Sequence, residues 1–169
     1  MKPRIFVSTV SNEFRTARTK IEHVLEFLGY EAVQQDIWGT EGGDLRQVLR
    51  DKIDSCEALV QLAGDGYGAE PPTVDPDYSR VSYTQFEFLY AQIQGKKTYI
   101  LFAGSACKKD NPIEKLDLPL EENHPDPAAH QAELRDLQSA YGARLHKSPQ
   151  ILQPFPSWRR GAARFCSNG

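Results

Sequence analysis

The sequence predicts an α/β domain in which a parallel sheet of four to five strands lies between layers of helices. Short apolar runs alternate along the chain with longer segments whose apolar residues recur every three or four positions. Strands that alternate with helices pair in parallel, because each helix returns the chain to the starting end of the sheet. A length of 169 residues matches one ordinary domain, so we expect residues 1–169 to fold as a single unit.

The first half of the chain predicts three strands and two helices. Residues 5–7 predict a buried strand, and residues 14–28 predict an amphipathic helix that Ser11 or Asn12 caps. The remaining segments are a weaker strand at 31–37, a glycine-rich loop at 38–43, a helix capped by Asp44, a central strand at 58–63 and a long polar loop at 64–81.

The second half predicts further alternation and an irregular connection. Residues 83–94 predict a helix, and residues 98–102 predict a fourth strand. The segments that follow are an irregular connection at 104–127, a helix at about 128–145, and a tail at 148–169 with a short strand at 151–152 and a terminal helix around 158–165.

Composition excludes several classes of protein. The chain is 40% apolar and 25% charged with a net charge of -3, which is typical of a globular domain. Its one basic cluster, Arg159, Arg160 and Arg164, lacks the extent that nucleic-acid binding needs. Without a long apolar stretch at its start, the sequence predicts a cytoplasmic protein that does not span a membrane. Neither its three cysteines nor its four histidines have the spacing of a metal site.

Glu87 is the strongest candidate for chemistry. It lies on the first turns of the helix that starts after the 64–81 loop, and ligands of parallel sheets bind at such loops. Thr84 and Glu87 have capping-box spacing, which would give the carboxylate a purely structural task. Ser82 and Gln85 have the same spacing and would leave Glu87 free, and the sequence leaves both pairs open.

Two sets of motifs carry a resemblance to a known family. Glu87, Ala91 and the pair Gly95 and Lys96, followed by an apolar strand, resemble the catalytic helix of TIR-domain NAD hydrolases. Three further segments are similar to a TIR-like family found at the amino termini of larger signalling and defence proteins, and the match extends over about residues 3–103. These segments are Ile5-Phe6-Val7-Ser8-Thr9, Gly64-Asp65-Gly66-Tyr67-Gly68 and Ser82-Tyr83-Thr84.

The resemblance implies a fold and an activity. It implies a flavodoxin-like three-layer fold with a core at about 3–103, to which we add a helical extension at about 128–166. The implied activity is cleavage of NAD, as substrate and not as cofactor, to nicotinamide and ADP-ribose or a cyclic isomer. Self-association and a role in bacterial antiphage defence are implied as well.

One carboxylate is enough for this chemistry. Oxidised nicotinamide is a cationic leaving group that departs neutral, so it needs no proton donor. Glu87 would stabilise the positive charge that develops on the sugar. The partial positive charge at the helix amino terminus is expected to keep Glu87 ionised.

Several residues are candidates for substrate contacts. Because parallel strands end at one edge of the sheet, the residues after them should converge near Glu87. Arg15 is a candidate for a pyrophosphate or merely an exposed charge, and Trp38 is a candidate for stacking or merely a packing residue. Tyr67 and Tyr83 each offer an apolar face and a hydrogen bond or are merely residues of the rim. The full set of predicted contacts is Ser8, Thr9, Arg15, Trp38, Asp65, Tyr67 and Tyr83.

Other interpretations remain open. The run from Gly64 to Gly68 lacks the GxGxxG spacing of a dinucleotide fingerprint, and Pro71 and Pro72 follow it instead of a helix, which disfavours a dehydrogenase. A nucleoside deoxyribosyltransferase resembles the predicted fold and also directs a glutamate at an anomeric carbon. A non-catalytic TIR-like adaptor that only oligomerises would use Glu87 as a helix cap.

Overall fold

A computed structural model of the chain describes residues 2–34, 45–104, 106–121 and 123–146. It contains a four-stranded, fully parallel sheet with the strand order β2-β1-β3-β4. The strands are β1 (Arg4–Thr9), β2 (Glu31–Val33), β3 (Ala58–Ala63) and β4 (Lys97–Phe102). The helices are α1 (Ser11–Phe27), α2 (Arg46–Asp54), α3 (Tyr83–Ile93) and α4 (Pro127–His146), and a short 3-10 helix spans Ile113–Lys115.

Two apolar layers enclose the sheet and confirm the predicted three-layer α/β fold. On one face, Phe14, Ile21 and Leu25 of α1 pack against the alternate β1 residues Ile5 and Val7. On the other face, side chains of α2, α3 and α4 pack against Phe6 and Leu59. Alternate residues of a strand point to opposite faces, so each buried strand contributes to both layers.

Helix α1 begins differently from the prediction. Neither Ser11 nor Asn12 caps it, because Val10 occupies the cap position and its carbonyl accepts the amides of Glu13 and Phe14 at 2.9 and 3.0 Å. The hydroxyl of Ser11 instead accepts a hydrogen bond from the Arg18 guanidinium at 3.1 Å.

Other element boundaries agree with the sequence pattern to within a few residues. The second strand is short, Glu31–Val33, and residues 35–37 of its predicted span lie outside the described residues. The same holds for the predicted cap Asp44 and for the predicted strand and helix of the 148–169 tail. In the described part of the chain, no helix combines the length and apolarity that crossing a membrane requires.

The long loop after β3 is fastened by a buried ionic cluster. Asp75 is 2% exposed and accepts a hydrogen bond from Arg46 at 3.1 Å, and Arg50 lies 3.9 Å away. Arg46 also donates to the Thr73 hydroxyl at 2.6 Å. This cluster fixes the loop to α2 and leads the chain into the start of α3.

Candidate active site

The candidate site lies where the strand order reverses. In the sheet, β2 lies on one side of β1 and β3 lies on the other, so the chain changes direction at β1. The crevice between the carboxyl ends of β1 and β3 is therefore a topological switch point. Ser8 of β1 and Gln61 of β3 are partners in the parallel register. Ser8 lies two residues after Phe6 and Gln61 two after Leu59, so both side chains point to the face on which α3 packs.

Glu87 is free of any capping task. The cap of α3 is Ser82, whose hydroxyl accepts the backbone amide of Gln85 at 3.3 Å. This decides between the two capping pairs that the sequence left open. Glu87 lies one turn further along the helix, and its side chain points towards the sheet at 7% exposure.

A directed chain of hydrogen bonds ends on the Glu87 carboxylate. The Tyr141 hydroxyl donates to Gln61 Oε1 at 3.0 Å, Gln61 Nε2 donates to Ser8 Oγ at 3.2 Å, and the Ser8 hydroxyl donates to Glu87 Oε2 at 2.5 Å. Gln61 Nε2 also donates to the carbonyl of Thr84 at 2.7 Å, which fixes the amide orientation. Every donor therefore points towards Glu87, and this order suits an ionised carboxylate as the final acceptor.

Burial changes the acidity of this group. It raises the pKa of Glu87 to about 7, although the hydrogen bond from Ser8 and the charge of Arg18 act to lower it. The expectation that the helix amino terminus keeps Glu87 ionised is therefore met only in part, because at this pKa about half of the carboxyl groups are protonated at neutral pH. Burial and the nearby Glu87 charge also raise the pKa of Tyr141, so its phenol remains a hydrogen-bond donor.

Helix α4 covers the site. Gln138 accepts a hydrogen bond from the Gln85 side chain at 2.9 Å and donates to the Gly64 carbonyl at 3.0 Å. Beneath the helix lies a cavity of about 10 Å³ lined by residues that include Gln61, Tyr67 and Tyr141. This is close to the space of one water molecule, whereas small-molecule ligands occupy several hundred Å³. The space between α4 and Gln61 in the described arrangement is therefore too small for a nucleotide.

The loop after β3 is held by two carboxylates. Glu13, which is fully buried, accepts the amides of Asp65 and Gly66 at 3.0 and 2.8 Å. Asp117 accepts the next two amides, those of Tyr67 and Gly68, at 2.9 Å each. Four consecutive amides thus donate to two side chains, one from α1 and one from the connection after β4.

Three of the predicted contacts lie at or near the β1–β3 edge. Ser8 contacts Glu87 directly, as described above. Tyr67 is fully buried, lines the small cavity and donates to Glu70 at 3.0 Å. Thr9 points to the other face of the sheet and donates to the Leu62 carbonyl at 3.1 Å, so its hydroxyl lies away from Glu87.

The remaining predicted contacts lie elsewhere. The Asp65 side chain is 60% exposed and pairs with Lys109. Arg15 is exposed on α1, whose apolar side packs on the opposite face of the sheet. Tyr83 belongs to the core, and its hydroxyl accepts the Leu45 amide at 3.4 Å, so it faces α2. Trp38 lies outside the described residues.

Sequence reasoning missed Gln61, Gln138 and Tyr141. Gln61 had a signal, since it is the one polar residue in the strand ALVQLA. A polar side chain in a buried strand needs a partner, and its position on the Ser8 face could have been inferred. Gln138 and Tyr141 lie some fifty residues after Glu87 on a helix whose docking no local pattern reveals.

Comparison with known proteins identifies a family. Residues 4–145 match the family model described as "Domain of unknown function (DUF4062)". The chain belongs to that family. No curated protein matches it. Among solved structures, it is similar to a 2-desoxiribosyltransferase from Leishmania mexicana, with 16% identity and a TM-score of 0.40 over 79% of this chain and 97% of that one.

Proposed function

We propose that this member of the DUF4062 family cleaves the N-glycosidic bond of a nucleoside or nucleotide, with Glu87 as its catalytic carboxylate. One observation carries the proposal: a buried carboxylate lies at the β1–β3 switch point, takes no part in capping its helix and receives a hydrogen bond from Ser8. Switch points of parallel sheets are where ligands bind, and buried carboxylates with displaced pKa values are typical of active sites.

The chemistry requires little beyond this group. As the bond between the anomeric carbon and the base nitrogen breaks, the electron pair leaves with the base and positive charge develops on the sugar. A carboxylate without bulk solvent around it stabilises that charge strongly. Water then adds to the anomeric carbon and releases one proton. Gln61 and Tyr141 would position Ser8, which in turn holds the carboxylate in place.

NAD is the first substrate candidate. Its nicotinamide carries a positive charge, so the departing group is neutral and needs no acid. A cation beside Glu87 favours the ionised carboxylate, so binding of NAD would lower the pKa from about 7 and release a proton. The motif resemblance around Glu87, Ala91 and Gly95 supports this candidate. Self-association and a role in antiphage defence remain proposals that accompany it.

A deoxynucleoside is the second candidate, and the acidity of Glu87 favours it. A neutral base leaves more readily when it gains a proton. With a pKa of about 7, about half of Glu87 is protonated at neutral pH, which is the form that a proton donor requires. Transfer of the deoxyribose to a second base would then replace hydrolysis.

Either substrate requires α4 to move. The closed cavity holds about one water molecule, and Gln138 and Tyr141 of α4 bridge the residues around Glu87. Three buried apolar residues hold the helix to the body, namely Leu134, Tyr141 and Leu145. Gln131 and Arg135 of α4 also donate to backbone carbonyls of the connection after β4. We infer that substrate binding loosens these contacts and is coupled to displacement of α4.

Incubation with candidate substrates tests the proposal. Concentrated protein is mixed with NAD, with deoxyinosine plus a free base, or with deoxyinosine alone, and the products are identified by mass. The proposal expects either nicotinamide release or base exchange, and expects Glu87→Gln to abolish it. Glu26→Gln, an exposed carboxylate change on α1, is the matched control and should keep full activity. Equal turnover in wild type and Glu87→Gln would refute the catalytic role.

Proton release separates the two candidates. Calorimetric titration near pH 7 in two buffers of different ionisation enthalpy measures protons exchanged on binding. A non-cleavable NAD analogue should release up to about half a proton per site, and a neutral deoxynucleoside should release none, because only the cation lowers the pKa of Glu87. In parallel, turnover per subunit that rises with protein concentration would support self-association.

A further inference from the structure

The loop after β3 presents a pair of amides arranged to hold an anion. Asp117 Oδ2 accepts the amide of Tyr67 and Oδ1 accepts that of Gly68, each at 2.9 Å. One carboxylate thus bridges two successive amides, a geometry in which peptide loops also hold phosphate oxygens. Gly68 has a φ of +89°, a conformation that favours glycine.

The position of this amide pair points to a ligand rather than to the fold alone. The loop leaves the carboxyl end of β3 at the β1–β3 switch point, where the phosphates of nucleotides lie in parallel sheets. Gly66 and Tyr67 also line the small cavity beside Gln61. A group bound by these amides would therefore lie on the same loop that borders the candidate active site.

The two halves of the loop are held in different ways. Glu13 is fully buried, and Lys109 lies 2.7 Å from it, so the amides of Asp65 and Gly66 belong to a permanent, charge-compensated contact. Asp117 is half-buried on an irregular connection and has a φ of +57°. Of the two carboxylates, Asp117 is the one that a ligand can replace without unpairing a buried ion pair.

We propose that the amides of Tyr67 and Gly68 form a phosphate subsite, and that Asp117 occupies it as an intramolecular substitute when no nucleotide is bound. The proposal rests on the proposed function and narrows its substrate to phosphate-bearing compounds such as NAD or another nucleotide. Displacement of Asp117 releases the connection between β4 and α4, the helix that covers Glu87. Binding of the phosphate group would thereby favour displacement of α4 from the residues around Glu87.

Amide resonances provide the test. The backbone amides of Tyr67 and Gly68 are followed by NMR in wild type, Asp117→Gly and Asp117→Asn during titration with ADP-ribose, inorganic phosphate and adenosine. Glycine adopts a positive φ freely, so Asp117→Gly keeps the backbone path, and Asp117→Asn keeps the shape while removing the charge. Removal of an internal competitor lowers the apparent Kd by a factor equal to the fraction of time for which the site was free of that competitor.

The expected result is a shift of both resonances with ADP-ribose and with phosphate, and at least a fivefold lower Kd for ADP-ribose in Asp117→Gly. Adenosine should bind equally to all variants. The control is Asp110→Gly, which also loosens this connection, since Asp110 accepts the Thr16 amide at 2.8 Å, but which leaves the loop amides paired. Equal gains in both variants, or equal responses to adenosine and ADP-ribose, would overturn the subsite.

The outcome is separable from that of the proposed function. Repeating the titration in Glu87→Gln should give the same Kd for phosphate, because Glu87 does not contact the loop amides. Cleavage of NAD without any response at Tyr67 and Gly68 would uphold the glycosidase and remove the subsite. A phosphate response in a protein that cleaves no substrate would do the reverse.

Discussion

Two buried glutamates, one on each face of the sheet, differ in the donors and charges that surround their carboxylates. Glu13 of α1 is fully buried and accepts two backbone amides, with Lys109 Nζ 2.7 Å away. Glu87 of α3 is 7% exposed, and its carboxylate accepts a hydrogen bond from the Ser8 hydroxyl at 2.5 Å. Glu13 thus has two amide donors and a lysine beside it, whereas Glu87 has one hydroxyl donor.

This difference is the one expected if Glu13 has a structural role and Glu87 has the proposed catalytic role. Glu13 fastens the loop after β3. A Cβ at Gly64 would lie 2.5 Å from the Glu13 carboxylate, so the loop backbone packs closely against this side chain. A burial that raises the pKa of Glu87 to about 7 costs folding free energy at neutral pH. Proteins keep such a group where chemistry requires it.

The largest expected effect is on activity. Glu87→Gln should lower kcat/KM by about 10³-fold or more on whichever substrate is turned over, because the amide keeps the size but cannot oppose the developing positive charge. Circular dichroism and the melting temperature should show an intact fold. A variant that retained a tenth of wild-type activity would assign the catalysis to another group.

Glu13 should give the opposite pattern. Glu13→Ala leaves two loop amides without their acceptor and removes a buried ion pair, and we expect a loss of about 3 kcal/mol of unfolding free energy in urea titrations. Glu26→Ala, an exposed change on the same helix, should cost less than about 0.5 kcal/mol. Similar losses for the two variants would contradict the structural role of Glu13.

The third prediction concerns pH and stability. The pKa of Glu87 is raised from its ordinary 4.5 to about 7, so the folded state binds the extra proton and stability falls as pH rises between these values. Glu87→Gln removes this penalty. At pH 8 the variant should be more stable than wild type, by on the order of 3 kcal/mol if 1.36 kcal/mol is counted for each pH unit.

Unfolding titrations at pH 4 and pH 8 measure this difference. The stability gain of Glu87→Gln should be present at pH 8 and nearly absent at pH 4, where the carboxyl group is protonated in both states. A gain that did not depend on pH would point to packing and not to a buried charge.

The smallest expected effect comes from Ser8. Ser8→Ala removes the hydrogen bond that lowers the pKa of Glu87, so this pKa should rise further. If the ionised form is active, the acidic limb of the profile of kcat/KM against pH should move to higher pH by the same amount as the pKa. Thr9→Ala is the matched control, because that hydroxyl donates to the Leu62 carbonyl on the other face. An unchanged limb in Ser8→Ala would mean that another group sets it.

Local sequence patterns were enough to predict the architecture, because the spacing of apolar residues indicates which residues are buried. The periodicity of the apolar residues predicted β1, β3, β4, α1 and α3, and the alternation of strands with helices predicted parallel pairing and two helical layers. The same reasoning pointed to Glu87, since a helix that follows the loop at the carboxyl end of a parallel strand starts at the ligand-binding edge.

Tertiary structure alone decided what surrounds Glu87. Sequence spacing left Thr84 and Ser82 equally eligible as cap, and only the folded chain assigns this role to Ser82. The docking of α4 brings Tyr141 to Gln61 from eighty residues away and closes the site. Burial depends on such distant contacts, so the pKa of Glu87 could not be read from its neighbours in sequence. The helix dipole is a local property that the sequence predicts, whereas desolvation, which is the largest cause of the raised pKa of Glu87, is a property of the whole fold.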